Sequence, residues 1–307
     1  MNDNLFQRAI CLLLPTSCAL CGAGSDDTLC PACIAQFFGA AGPRCHHCAN
    51  PLAAGSASVC GHCIVHPPAF DRTLVAADYA LPVDQLVLQL KFGHRLALAA
   101  LMARRLAAVV RQDQALGAAR LPAPASTQPA PLSARLYARL YAQVRARLSA
   151  RLCAQLHAQL RAQLSAQLSA QLSGQVPAQL SVQSLAALPA LLCPVPLGPR
   201  RLAQRGYNQA LEIARPLARE LAIPLHARLV ARVRETAAQS SVAPERRRAN
   251  IAGAFALADP ALVRGRHIGV VDDVMTSGGT LDEMAAMLKR HGAARVTNFV
   301  FARTPPH

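Results

Sequence analysis

A chain of 307 residues with 32 Lys and Arg against 16 Asp and Glu, net charge +16, has room for one catalytic domain and a small module. No apolar run approaches the roughly 20 residues that cross a bilayer, and 10–14 is too short for a signal-peptide core, so a cytoplasmic protein is expected. Arg-rich low-complexity sequence and the basic 228–248 region carry much of the charge, which suits a phosphorylated substrate or a nucleic acid without choosing between them.

Residues 1–68 read as a metal module. Eight cysteines form four CxxC pairs: Cys18/Cys21, Cys30/Cys33, Cys45/Cys48 and Cys60/Cys63. Two thiolates with two residues between them suit adjacent corners of a tetrahedral Zn²⁺ site. In a reducing compartment that spacing favours metal over disulfides. Four pairs fill one or two structural zinc sites. Sequential pairing gives a double zinc ribbon, interleaved pairing a cross-braced module, and the sequential arrangement is preferred. A filled Cys₄ site has no open position for catalysis, so the module is structural or a docking surface. His46, His47, His62 and His66 are then solvated or lie beside the ligands.

Residues 69–110 begin the catalytic domain, with a strand over 70–79 and helices over 83–91 and 97–110. Lys91, Phe92, His94 and Arg95 fall at the junction of the two helices. Composition then changes. A Pro/Ala/Ser linker leads into a four-residue Ala/Gln/Leu/Arg repeat, and together they make a low-complexity insert over 111–188. A four-residue step winds an apolar stripe about 40° further round a helix at each repeat, so no face stays apolar. The segment is expected to be helical or disordered and to carry no chemistry. Deleting 120–185 should leave activity intact.

The core resumes over 189–307. A strand over 190–195 runs into a rigid turn at Val195, Pro196 and Leu197, and Arg200, Arg201 and Arg205 follow it. Leu211, Ile213, Ala214, Leu217 and Leu221 mark an amphipathic helix. A strand over 229–233 precedes a polar stretch, 235–244, which suits a mobile active-site loop. Arg234, Thr236, Gln239, Arg247 and Asn250 are its candidate contacts, and further strands fall at 255–257 and 296–301.

The stretch that organises these parts is 268–281, IGVVDDVMTSGGTL. It reads as a buried parallel strand that fixes Asp272 and Asp273 at its C-terminal end, where open α/β sheets bind ligands. The polar turn Thr276, Ser277, Gly278, Gly279 and Thr280 follows, and then a helix. Glycines let backbone N–H groups approach an anion, and the helix N-terminus adds positive partial charge. This order of parts resembles the signature with which type I phosphoribosyltransferases bind 5-phosphoribosyl 1-pyrophosphate (PRPP). The fold expected is α/β, a type I phosphoribosyltransferase-like parallel sheet flanked by helices.

The CxxC knuckles, LKFGHR, CPVPLGPRRLAQRGYNQ, RETAAQ, RRAN followed by GAF, and VVDDVMTSGGTL together resemble the ComF (GntX-like) family of bacterial phosphoribosyltransferase-fold proteins. The likeness covers 1–110 and 189–307, and the insert departs from the family pattern. It implies that Asp272 and Asp273 are the catalytic pair holding the ribose hydroxyls. Thr276, Ser277, Gly278, Gly279 and Thr280 would hold the 5′-phosphate. Val195, Pro196, Leu197, Arg200, Arg201, Arg205 and Lys91 would lie on the pyrophosphate side. Mg²⁺ would accompany PRPP. Enzymes acting on 6-oxopurines usually begin the phosphate loop with an acid, and Thr276 at that position disfavours such acceptors. Three readings stand: a phosphoribosyltransferase with an unidentified acceptor, which is preferred, a PRPP-binding regulator, and a competence protein whose zinc ribbons contact single-stranded DNA. Single-stranded DNA, the competence machinery and a second copy of the chain are further candidate partners.

Overall fold

The computed structural model describes residues 17–39, 42–119, 188–234 and 253–305. Most of the expected insert and the polar stretch 235–244, with Thr236, Gln239, Arg247 and Asn250, lie outside the described residues. The chain divides into two compact units, one of 1–112 with 188–307 and one of 113–187. The geometry below belongs to the first.

Four parallel strands form its sheet: β1 (Arg72–Asp78), β2 (Leu191–Pro194), β5 (His267–Met275) and β6 (Arg295–Arg303), in the order β1-β6-β5-β2. The two central strands are buried almost throughout, since helices cover both faces of the sheet. Edge strand β1 instead alternates between buried and half-buried residues. Val271, Phe299 and Phe301 face one side, where the helices α3 (Val83–Phe92), α4 (Ala97–Ala119) and α6 (Gln209–Leu221) pack. Val270, Val296 and Val300 face the other, against α7 (Gly279–Arg290). Gly269 allows the tightest approach, since a Cβ there would lie 2.4 Å from Leu192 Cδ2 and 2.9 Å from Phe299 Cε2. No larger residue fits between those side chains.

Two elements differ from expectation in ways that matter for the site. The segment after the β2 turn is a short helix, α5 (Pro199–Arg205). Pro199 presets its first turn, and Gly206, at φ 76°, ends it in the left-handed conformation. Strands β3 (Val230–Arg232) and β4 (Phe255–Leu257) pair antiparallel as a separate two-stranded sheet. In addition, α4 runs to Ala119, well past the expected end at 110.

Each CxxC cluster is finished by a short helix, α1 (Pro31–Phe38) in the first and α2 (Gly61–Val65) in the second. The first cluster buries Cys18, Leu29 and Cys33 with the α3–α4 side of the core. The second buries Cys45, Cys48 and Cys63 with the α7 side. No helix among the described residues is long and apolar enough to cross a membrane.

Candidate functional site

Strand register brings the site together. Pro194 of β2 pairs with Val271 of β5, and the Val195 N–H donates to the Val271 carbonyl at 2.9 Å. The turn at Val195, Pro196 and Leu197 therefore starts beside Asp272. Asn208 fixes it, donating from Nδ2 to the Val195 carbonyl at 3.0 Å while its own Oδ1 caps α6 through the Ala210 N–H. Arg200 and Arg201 follow on α5.

Asp272 and Asp273 are turned back on the strand. Asp272 Oδ1 accepts the Asp273 N–H at 3.0 Å, and Asp273 Oδ1 accepts the Val274 N–H at 2.7 Å. Lys91 Nζ lies 3.0 Å from Asp273 Oδ2, with both side chains largely covered. Expected on the pyrophosphate side, Lys91 thus lies against the acid pair in the free protein. Burial and the neighbouring Asp273 charge push the Asp272 carboxyl up to about 8, against the opposing pull of Lys91, the Asp273 N–H and Arg232.

The end of α3 meets the end of α5 at this point. The Tyr207 hydroxyl donates to the Leu90 carbonyl, one residue before Lys91. The Arg205 guanidinium lies over the Phe92 ring, 5.2 Å from its centroid, and donates to Gln209 Oε1 at 3.0 Å. His94 packs edge-on against Tyr207 at 5.8 Å. The motif LKFGHR is in this way docked onto RGYNQ, which fixes where Lys91 can reach.

After Met275 the loop carries exposed Thr276 and Ser277, then buried Gly278 and half-buried Gly279 and Thr280. Gly278 has φ 82° and stands as the N-cap of α7. A Cβ there would meet Met275 Cε at 2.5 Å. With no side-chain cap, the first N–H groups of α7 are open to an anion. Asp282 in its first turn accepts the Ala69 N–H at 2.6 Å.

Two residues of this region were not singled out from the sequence. Arg232, at the end of β3, lies near Asp272 and against Gly198, where an added Cβ would be 3.7 Å from Arg232 Cδ. Arg303, at the end of β6, is only 6% exposed and reaches the carbonyls of Met275, Thr276, Thr304 and Cys48. A charged residue directly after the apolar run from Phe299 to Ala302 was the one available signal for Arg303.

The cysteines gather as sequential pairing expects, Cys18, Cys21, Cys30 and Cys33 in one group and Cys45, Cys48, Cys60 and Cys63 in the other. Within each group the sulfurs lie inside 4.8 Å of one another. Four thiol sulfurs in so small a volume fit tetrahedral Zn²⁺ in donor type and number. Burial pushes the Cys33 thiol up to about 12 and Cys48 to about 11. In Cys18 and Cys45 burial is outweighed by donated backbone N–H bonds, which hold them down at about 6 and about 7. Within each group some sulfurs are therefore poised as thiolates, the form that binds metal.

Known proteins show the same two parts. Residues 208–306 match the phosphoribosyl transferase domain, and residues 9–64 match the double zinc ribbon domain. The DNA utilization protein YhgH of Salmonella typhimurium is 30% identical over 296 residues, which are 95% of this chain and 99% of that protein. Competence protein F of Haemophilus influenzae is 26% identical over 280 residues, 91% of this chain and 92% of its own. A ribose-phosphate pyrophosphokinase of Oryza sativa is 54% identical over a local stretch of 37 residues, 12% of this chain and 9% of its own. The domain pair and the full-length relatives agree with the fold and the cysteine geometry: the chain belongs to the ComF (GntX-like) family of phosphoribosyltransferase-fold proteins with an N-terminal double zinc ribbon.

Proposed function

We propose that the protein binds PRPP with Mg²⁺ and transfers its phosphoribosyl group to or from a nucleophile. The observation that carries this reading is the acid pair at the end of β5, one short loop before a glycine-capped helix N-terminus. Asp272 and Asp273 accept hydrogen bonds from the ribose 2′- and 3′-hydroxyls. Backbone N–H groups at Gly278, Gly279 and Thr280, with the hydroxyls of Thr276, Ser277 and Thr280, hold the 5′-phosphate. Carboxylates are hard donors that suit Mg²⁺, whose charge would help neutralise the phosphates of bound PRPP.

In the forward direction the bond from C1′ to the pyrophosphate oxygen breaks, and its electron pair leaves with pyrophosphate. The acceptor's lone pair forms the new bond to C1′ and the acceptor gives up a proton. What the chain contributes is position and charge. Arg200, Arg201, Arg205 and Arg232 supply cations on the pyrophosphate side. Lys91, held by Asp273 in the free protein, is freed towards the phosphates once the ribose engages the acids. Thr276 in place of an acid at the head of the loop disfavours a 6-oxopurine acceptor.

The names of the full-length relatives, a DNA utilization protein and a competence protein, favour a second reading in which PRPP binding serves DNA uptake. Isothermal titration with Mg-PRPP, followed by pyrophosphate release across candidate bases and amines, separates the two. Turnover supports the transferase, and binding without turnover on any acceptor supports a PRPP-responsive DNA-handling protein. Absence of Mg-PRPP binding overturns both. The DNA reading also requires single-stranded DNA affinity that falls as salt rises.

A further inference from the structure

Arg303 joins two parts of the molecule that the reaction itself does not connect. Its Nε donates to the Cys48 carbonyl at 3.0 Å, within the second cysteine group. Its Nη1 donates to the Met275 carbonyl at 3.2 Å and to the carbonyls of Thr276 and Thr304. Met275 and Thr276 are the residues from which the phosphate loop departs. The Met275 carbonyl is also bonded by the Thr304 N–H, at 3.0 Å. The head of the loop is thus held from β6, and the same side chain holds the knuckle.

The knuckle is gripped on its other side as well. Arg44 donates to the Ala49 carbonyl at 3.2 Å and to Asp78 Oδ1 at 2.9 Å, and Asp78 is the strand partner of Arg303. Two arginines therefore anchor successive carbonyls, Cys48 and Ala49, to the C-terminal ends of β1 and β6.

Charge gives this contact a further consequence. A guanidinium that is 6% exposed needs a counter-charge, and among the described residues no carboxylate pairs with it. Cys48, whose carbonyl it holds, belongs to the second group with Cys45, Cys60 and Cys63. Four thiolates around one Zn²⁺ keep a net charge of about −2. Metal in the second group therefore supplies what the buried guanidinium lacks.

We propose that Arg303 is a positioning residue that couples the second tetracysteine site to the phosphate loop, so that metal in one orders the other and a phosphate ligand in turn slows metal loss. Linkage requires the reverse effect on zinc affinity, because two ligands that favour the same arrangement strengthen each other's binding equally, and the gain is expressed here in slower release. The coupling rests on the reading of 276–280 as a phosphate site.

The test uses full-length zinc-loaded protein, with ribose 5-phosphate as ligand and pyridylazoresorcinol as zinc acceptor. Ribose 5-phosphate should slow one of the two zinc-release phases of the wild type by on the order of tenfold. R303M should lose that slowing and bind ribose 5-phosphate on the order of tenfold more weakly. R303K, which keeps the charge but cannot span four carbonyls, should regain only part of both, and it stands in for R303M if that variant does not fold. Ribose 5-phosphate that binds the wild type without changing either zinc phase overturns the coupling alone, as does normal slowing in R303M. If the wild type binds no ribose 5-phosphate, the phosphate-site reading fails, and amide hydrogen exchange decides the coupling. Faster exchange at 276–280 after zinc removal sustains it, and unchanged exchange ends it.

Discussion

The Lys91 ammonium rests 3.0 Å from the Asp273 carboxylate, joining the last turn of α3 to the ligand-binding end of β5 across 182 residues of chain. Two adjacent acids in a largely covered site repel one another, and a cation from a distant element offsets that repulsion. Removing it should cost stability and change the acids' titration. K91M should lose about 1–3 kcal/mol by denaturant melts, since one partner of a covered pair is left without the other. A loss no larger than that of an exposed Lys on α4 would show that the pair contributes nothing.

Asp272 makes PRPP binding depend on pH. Its carboxyl, raised to about 8, carries a proton at neutral pH in the free protein. Accepting two ribose hydroxyls favours the ionised form, so binding at pH 7 should release close to one proton. Affinity should rise by up to about tenfold per pH unit below 8 and level off above it. Calorimetry in buffers of different ionisation enthalpy measures the proton directly, and a binding enthalpy independent of buffer would contradict the assignment. In K91M the levelling-off should move to higher pH, because Lys91 is one of the charges holding Asp272 down.

The same group affects folding with a definite sign. The folded chain holds the Asp272 proton more tightly than the unfolded chain, where the carboxyl titrates near 3.8. The contribution of this group to stability is therefore fully present below that value, falls as pH rises, and is lost above about 8. D272N cannot ionise, so it should melt well above the wild type at pH 9, by less at pH 5, and level with it only below 3.8. It should also lose Mg-PRPP affinity, which separates the stability role of the position from its ligand role. Equal melting temperatures at pH 9 would show that the carboxyl is not raised.

Gly278 combines a φ of 82° with a 2.5 Å approach to Met275 Cε. Met275 ends in a flexible thioether and can move, whereas the backbone angle cannot be relieved. G278A should cost about 1–2 kcal/mol. Ribose 5-phosphate affinity should fall by tenfold or more, because the loop N–H groups turn away. G278A with M275A should recover packing but not affinity. Full recovery of both would assign the effect to the methionine alone.

Metal content is the most direct check on the cysteines. Two Zn²⁺ per chain are expected by elemental analysis, one for each group. Stripping them should lower the melting temperature of the whole first unit, because Cys45, Cys48 and Cys63 pack in one cluster with Val270, Phe255 and Val300. Melting unchanged by chelation would detach the ribbons from the core's stability.

The parts of the site legible in the sequence are those whose chemistry is local. Asp272, Asp273 and the loop to Thr280 stand on one strand–turn–helix, and each CxxC pair is a single turn of chain. Taken by itself Lys91 read as a basic helix end, and only the family resemblance put it on the pyrophosphate side. What brings it to Asp273 is the Tyr207 hydrogen bond to Leu90 and the stacking of Arg205 on Phe92, contacts between segments more than 100 residues apart. Arg232 and Arg303 were passed over for the same reason. Each acquires its neighbours from strand order, and β3 gives no sign in its own three residues that it will pair with β4.

The sheet order bears on how the chain is made. Among the described residues edge strand β1 has β6 as its only sheet partner, and the ribosome delivers β6 roughly 200 residues after β1 has emerged. Throughout that interval the metal knuckles can close, since all their ligands lie within short stretches that precede β1. The nascent protein should therefore acquire zinc early and gain its sheet only later, when β5 and β6 arrive together to join the two waiting edges.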